Sequence, residues 1–182
     1  MSRPSFKSEL ISAIPALRAF AISLCHNPGS ADDLVQETLL KAWDKQKSFA
    51  RGSNIRAWLF TILRNTHYSH LRKRRREVED VDGYFTGSLS SAPAQLDSLQ
   101  LKSFRAALAS LPADQREAII LVGASGFAYE EAAEICGCAV GTIKSRVSRA
   151  RVQLGQLLNV DGEADYGPDA GTAAITSKAF AV

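Results

Sequence analysis

Apolar residues recur at helical spacing along the chain, and no segment alternates apolar and polar residues as a half-buried strand does. The pattern predicts an all-α protein. Leu10, Ile14, Leu17, Ala21 and Leu24 share one face of a first segment, and Pro15 marks a helix start within it, after a short preceding helix. His26-Asn27-Pro28-Gly29 reads as a turn, and Ser30 as an N-cap with Asp33 three residues on. The helix that follows, about 31–47, buries Ala31, Leu34, Val35, Thr38 and Ala42 and turns Asp33, Gln36, Glu37, Leu40, Lys41 and Asp44 outward. Ser48–Asn54 is a loop. Ser53 or Asn54 caps a long helix to about Arg76, ~34 Å at 1.5 Å per residue. Its core stripe is Ile55, Trp58, Leu59, Ile62 and Thr66, and its other faces carry Arg56, Phe60, Arg64, Asn65, His67, Tyr68 and Leu71.

Residues 77–96 interrupt this pattern, first acidic and then rich in Ser and Gly, as a flexible linker is. The chain therefore divides into two small helical domains, 1–76 and 97–158, followed by a Gly-, Ala- and Asp-rich tail at 159–182 that reads as disordered. In the second domain Leu101, Phe104, Leu108 and Leu111 form one stripe. Leu111-Pro112 ends that helix and begins another holding Ile119, Ile120 and Val122, and Gly123–Gly126 is a turn. In residues 127–154, Ala133, Gly137 and Ile143 have helix-turn-helix spacing: a small residue for close approach, a glycine for the turn, a branched residue to anchor the second helix. On that second helix Ile143, Val147, Ala150 and Leu154 make the buried face. Thr142, Ser145, Arg146 and Arg149 lie on another face, flanked by Lys144, Ser148 and Arg151. A helix of this kind suits the major groove, where Arg grips guanine edges and flanking cations hold phosphates.

Charge sharpens this reading. The net charge is only +3, yet residues 51–76 contain Arg51, Arg56, Arg64, Arg72, Lys73, Arg74, Arg75 and Arg76 with no acid. The linker and the tail are acidic. Helix-dipole pairing accounts for one or two terminal bases, not for this block, which points to a polyanion. The 46% hydrophobic and 23% charged composition is that of globular protein. No run of about 18 uncharged apolar residues is present and the first residues lack a signal-peptide core, so no membrane span and a cytoplasmic location are expected. Cys25, Cys136 and Cys138 lack a disulfide framework or a paired zinc pattern and read as small buried hydrophobes. Asp32, Asp33 and Glu37 have no completing metal ligands, nor do His26, His67 and His70, and no nucleophile motif or phosphate loop occurs. No enzyme activity, metal or cofactor is expected.

Three stretches together resemble the extracytoplasmic-function sigma factors. GTIKSRVSRAR (141–151), preceded by YEEAAEICGCAV, is similar to their region 4 helix-turn-helix. ADDLVQETLLKAW (31–43) resembles the region 2 helix that docks on RNA polymerase, and RGSNIRAWLFTILRNTHYSHLRKRRR (51–76) the promoter-melting part of that region. The stretch LPADQREAIILVGASGFAYEEAAEICGCAVGTIKSR looks most like the branch serving the alphaproteobacterial general stress response. The resemblance implies that Asp33, Gln36, Glu37, Leu40 and Lys41 dock on the clamp coiled coil of the polymerase largest subunit, while region 4 meets the flap. It implies −10 recognition and base flipping around Arg51, Asn54, Arg64, Asn65, His67, Tyr68 and Arg72. It also implies −35 recognition by Thr142, Lys144, Ser145, Arg146, Ser148, Arg149 and Arg151. A small helical anti-sigma factor is a further implied partner. The family usually has Ser or Thr where Ala128 stands, so this helix start is expected to be weaker by ~1 kcal/mol. Residues 77–96 extend to at most ~70 Å, about two turns of B-DNA. The alternative is a stand-alone helix-turn-helix regulator with residues 1–76 as a dimerisation or effector domain.

Overall fold

The computed structural model describes residues 5–50, 52–79 and 99–158, and the chain forms two compact units. The first holds α1 (Phe6–Cys25), α2 (Pro28–Asp44), a short 3-10 turn (Gln46–Ser48) and α3 (Ile55–Glu79). The second holds α4 (Leu99–Ser110), α5 (Ala113–Ile119), a π-helical turn (Ile120–Ala124), α6 (Tyr129–Cys136) and α7 (Val140–Leu157). Among the described residues there is no strand. The expected tail and most of the expected linker lie outside the described residues; α3 itself continues through Glu79.

Several boundaries differ from those the sequence predicts: the helix expected over 31–47 ends at Asp44 and is followed by the separate 3-10 turn, and the first two helices meet differently. α1 runs unbroken through Pro15, with Leu10 and Ala13 buried before it and Leu17, Phe20, Ala21 and Leu24 after it on one face. Pro15 forfeits one ladder hydrogen bond, and packing of that whole face outweighs the loss. The turn after α1 is also shorter. His26 takes the left-handed conformation (φ 56°), and Asn27, not Ser30, is the N-cap: its Oδ1 accepts the Ser30 amide at 3.1 Å. Pro28 then occupies the first turn of α2, where its missing N–H costs nothing.

The first core lies where α1, α2 and α3 meet. α2 buries the five residues its periodicity predicts, Ala31, Leu34, Val35, Thr38 and Ala42. α3 departs from prediction: Leu59, Phe60, Leu63 and Thr66 are buried, while Ile55, Trp58 and Ile62 are half-buried. α3 packs on both α1 and α2, so its buried arc is wider than one stripe. Phe60 stacks on Phe20 at 4.9 Å. Trp58 joins a separate aromatic cluster, 5.1 Å from Phe49 and 6.4 Å from Phe6. A forked ion pair, Arg18 Nε to Asp32 Oδ1 at 2.6 Å and Nη2 to Oδ2 at 3.2 Å, ties α1 to the start of α2.

α1 is the one helix among the described residues that is long and apolar enough to cross a membrane by length and composition. One face of it packs on α2 and α3, and Arg18 pairs with Asp32 on the bundle surface.

In the second unit α7 is the central element. Its predicted stripe of Ile143, Val147, Ala150 and Leu154 is buried, with Ala107 and Leu111 of the α4 end packed against Ala150 and Leu154. The buried Arg116 donates from Nη1 to the carbonyls of Ala109 (2.9 Å) and Leu111 (3.2 Å), satisfying acceptors that the end of α4 leaves open. The expected turn at Gly123–Gly126 is narrower, because a π-helical turn carries the chain through Ala124. α6 starts without a side-chain cap at Ala128, but the Glu131 carboxylate accepts the Ala128 amide at 3.0 Å. That supplies half of a capping box.

Gly137 closes α6 at φ 63°. Its N–H bonds Glu134 O (3.2 Å) and that of Cys138 bonds Ala133 O (3.0 Å), a Schellman closure that sets the turn into α7. A Cβ at Gly137 meets nothing within 4 Å, so only backbone strain opposes one. Gly137→Ala is expected to destabilise the chain by about 1 kcal/mol and Gly137→Asn by less, since Asn tolerates this conformation. Urea unfolding measures both; equal losses would show that side-chain packing, not φ, sets the preference.

Candidate DNA and polymerase interfaces

On α7 the residues opposite the buried stripe face outward. Lys144, Ser148 and Arg149 are exposed, whereas Thr142, Ser145, Arg146 and Arg151 are half-buried. The Ser145 hydroxyl donates back to Thr142 O at 2.9 Å. Lys144 Nζ sits 5.9 Å from the ring centre of Tyr129, on α6, a contact sequence reasoning missed. Arg146 is turned inward: Nε lies 3.0 Å from Asp114 Oδ2 on α5, and Nη1 lies 3.8 Å from Cys138 Sγ. Among the seven predicted residues, the outermost group is therefore Lys144, Ser148 and Arg149. Exposed Val152 shares their face.

α3 separates its predicted residues in the same way. At 100° per residue, Arg64, Asn65, Tyr68 and Arg72 lie together on the side away from Leu59, Leu63 and Thr66. The Arg64 guanidinium stands 4.7 Å from the Tyr68 ring centre. Arg72 reaches Ser69 Oγ at 3.2 Å. His67 lies towards α1 instead, with Nδ1 3.7 Å from Cys25 Sγ and its ring 5.4 Å from Tyr68 in an edge-on contact. Burial pushes the Cys25 thiol pKa up, keeping it a neutral, weakly reactive group. Asn54 uses its side chain to cap α3, accepting the amides of Arg56 (3.0 Å) and Ala57 (3.3 Å). Arg51 lies outside the described residues. Beyond Arg72 the exposed Lys73, Arg74, Arg75 and Arg76 continue the helix, with Lys73 Nζ 3.8 Å from Glu77.

The predicted polymerase-docking residues also fall into two groups. Asp33, Gln36 and Leu40 point outward, Leu40 with 68% of its surface exposed. Gln36 and Leu40 border an open apolar groove of about 420 Å³ between α1 and α2, whose walls are Leu10, Ile11, Ile14, Leu39 and Trp43 with Lys7 at the edge. Ile11 and Trp43 are exposed by about half, and neither was singled out by periodicity. Glu37 and Lys41 instead bind α3. Glu37 accepts from Lys41 Nζ (2.7 Å) and His70 Nε2 (3.0 Å), and Lys41 donates to Thr66 Oγ1 (3.1 Å).

The Lys41 hydrogen bond, helped by His70, holds the Glu37 carboxyl below its ordinary pKa. A depressed folded-state value means that this stabilisation is complete above about pH 4.3, the unfolded value, and is lost as pH falls through the folded one. Glu37→Gln is expected to flatten the acid limb of stability between neutral pH and pH ~3, by at most about 1 kcal/mol because the pair is solvent-screened. Denaturant titrations across that range test it; parallel wild-type and variant curves would remove Glu37 from the account.

Comparison with known proteins follows the same division. The Sigma-70 region 2 family matches residues 10–77 and the Sigma-70, region 4 family residues 101–154. The chain is 63% identical over 165 residues, 91% of each sequence, to the ECF RNA polymerase sigma factor EcfG of Rhodopseudomonas palustris (strain TIE-1). It is 39% identical over 127 residues, 69% of each, to the ECF RNA polymerase sigma factor SigC of Mycobacterium tuberculosis. Among solved structures, the sigma factor RpoE in complex with the anti-sigma factor NepR from Bartonella quintana superposes with a TM-score of 0.78 at 65% identity. That match covers 86% of this chain and 98% of the other.

Proposed function

The chain belongs to the extracytoplasmic-function sigma factors of RNA polymerase, and we propose a division of that role between its two units. As a sigma factor it binds core RNA polymerase, directs it to promoters and works under an anti-sigma factor. Residues 1–76 would dock on the clamp coiled coil and melt the −10 element. Residues 97–158 would meet the flap and read the −35 duplex, with 77–96 as a tether. Each module alone would bind weakly, and tethering on one polymerase would raise the effective concentration of the second. The genes served would be those of a stress response, the location the cytoplasm, and the bond-making chemistry the polymerase's own.

The observation that carries the −35 assignment is the roll of α7: its apolar stripe is buried and Lys144, Ser148 and Arg149 are presented outward beyond the hydrogen-bonded turn at Gly137. For the −10 element, Arg64 over Tyr68 with Asn65 and Arg72 beside them gives a half-open aromatic flanked by cations, the combination that stacks and holds single-stranded bases. For docking, the groove bordered by Gln36 and Leu40 suits a helix laid along α1 and α2, with Asp33 facing a basic partner. A small helical anti-sigma factor would block the polymerase by covering these surfaces.

Run-off transcription with purified core polymerase and a promoter library tests the reading. Promoter-dependent transcripts from core plus this chain are expected. A stand-alone regulator would instead need holoenzyme already loaded with another sigma factor, and would give no transcript with core.

A further inference from the structure

Asp114 stands in the first turn of α5, half-exposed, and its Oδ2 lies 3.0 Å from Arg146 Nε. Only 23% of the Arg146 side chain is exposed, while Arg149, one turn on, is open to solvent. Arg146 also reaches Cys138 Sγ, on the turn between α6 and α7. One guanidinium thus touches α5, the turn and α7. Its direction is set from within the unit, and Nε is already committed to a carboxylate.

We propose that Asp114 is a positioning residue for promoter recognition, acting through Arg146 as a strut that fixes the roll of α7 on α5. Arg146 then contributes no base readout. The reason is geometric. The buried stripe of Ile143, Val147, Ala150 and Leu154 is apolar and sets the rotation only coarsely, whereas a charge-assisted hydrogen bond at the edge of that stripe is directional. A small roll of α7 would move Lys144, Ser148 and Arg149 together relative to a groove. The pairing also neutralises an acid on the module that meets phosphates. This inference rests on the reading of α7 as the −35 reader.

The test uses the full chain in holoenzyme and a panel of −35 base substitutions. The variants are Asp114→Asn, Asp114→Glu, Arg146→Gln, the double Asp114→Asn/Arg146→Gln, and Arg149→Ala as the base-contact control. Asp114→Asn and Arg146→Gln are each expected to lower −35-dependent binding by about tenfold across all sequences. The double variant should be no worse than either single one, because both break one strut. Asp114→Glu, which keeps the carboxylate, should restore most of the loss. The slope of log affinity against log salt should stay at the wild-type value, since no phosphate contact is removed. If Arg146→Gln flattens the preference at a single base pair, or if the two single losses multiply in the double variant, the proposal is overturned. It is overturned alone if Arg149→Ala relaxes one position while Asp114→Asn binds like wild type. If Arg149→Ala also leaves every −35 preference unchanged, α7 is not the reader and both fall. Circular dichroism melting accompanies each variant. A loss that tracks unfolding and is not rescued by Asp114→Glu also overturns the positioning role.

Discussion

Replacing Leu40 by Lys is expected to weaken binding to core RNA polymerase by about thirtyfold or more, the loss of a hot-spot contact of ~2 kcal/mol. Leu40 is 68% exposed on α2 and borders the α1–α2 groove, so no packed core depends on it. Lys forms helices almost as well as Leu, so the stability of the first unit should change by no more than about 0.5 kcal/mol. The penalty therefore falls on binding. A cation replaces apolar contact in the groove and faces a partner surface that the acids of α2 suggest is basic. Trp43→Ala, on the same groove, should act in the same direction, since large aromatic side chains dominate such interfaces. Fluorescence titration with core polymerase, alongside thermal melts, measures both effects. A wild-type affinity in both variants would place the polymerase contact on another face of the unit.

Arg149→Ala is expected to cost about 1–3 kcal/mol on the cognate −35 element and to relax the preference at one base pair. Arg149 is exposed on the outward face of α7, with no role in the buried stripe, so the loss is one of recognition. Lys144→Ala should behave differently, weakening all sequences alike and lowering the salt slope by about 1, as a phosphate contact does. The contrast separates reading from holding on a single helix. Uniform losses in both variants across a −35 panel would mean that α7 contacts only the backbone of the duplex.

The periodicity of α2 and α7 was fully legible. Each buries the residues that a 3.6-residue repeat places on one side, because each offers a single apolar arc to its unit's core. α3 follows its periodicity less closely. It packs on both α1 and α2, so Phe60, which periodicity assigns to an outer face, stacks on Phe20. The chain departs from local propensity at Pro15 and Asn27 for a related reason. Local propensity marks where a helix is easy to start, and burial of the α1 face decides where it continues. The site residues divide along the same line. Exposure of Arg149, Lys144 and Leu40 follows from helix geometry. The inward turn of Arg146, Glu37 and Lys41 depends on Asp114, His70 and Thr66, which belong to other helices.

By itself, then, the sequence determined that the protein is helical, that it has two modules, that a glycine shapes the turn between α6 and α7, and which face of α7 is apolar. These are consequences of chemistry within a few residues along one chain segment. Tertiary structure alone decided which polar side chains remain available to a partner and which are held inside their unit. It also opened the groove between α1 and α2. Those outcomes depend on ion pairs and packing between helices distant in sequence, and the spacing of residues along one helix carries no record of what its neighbour presents.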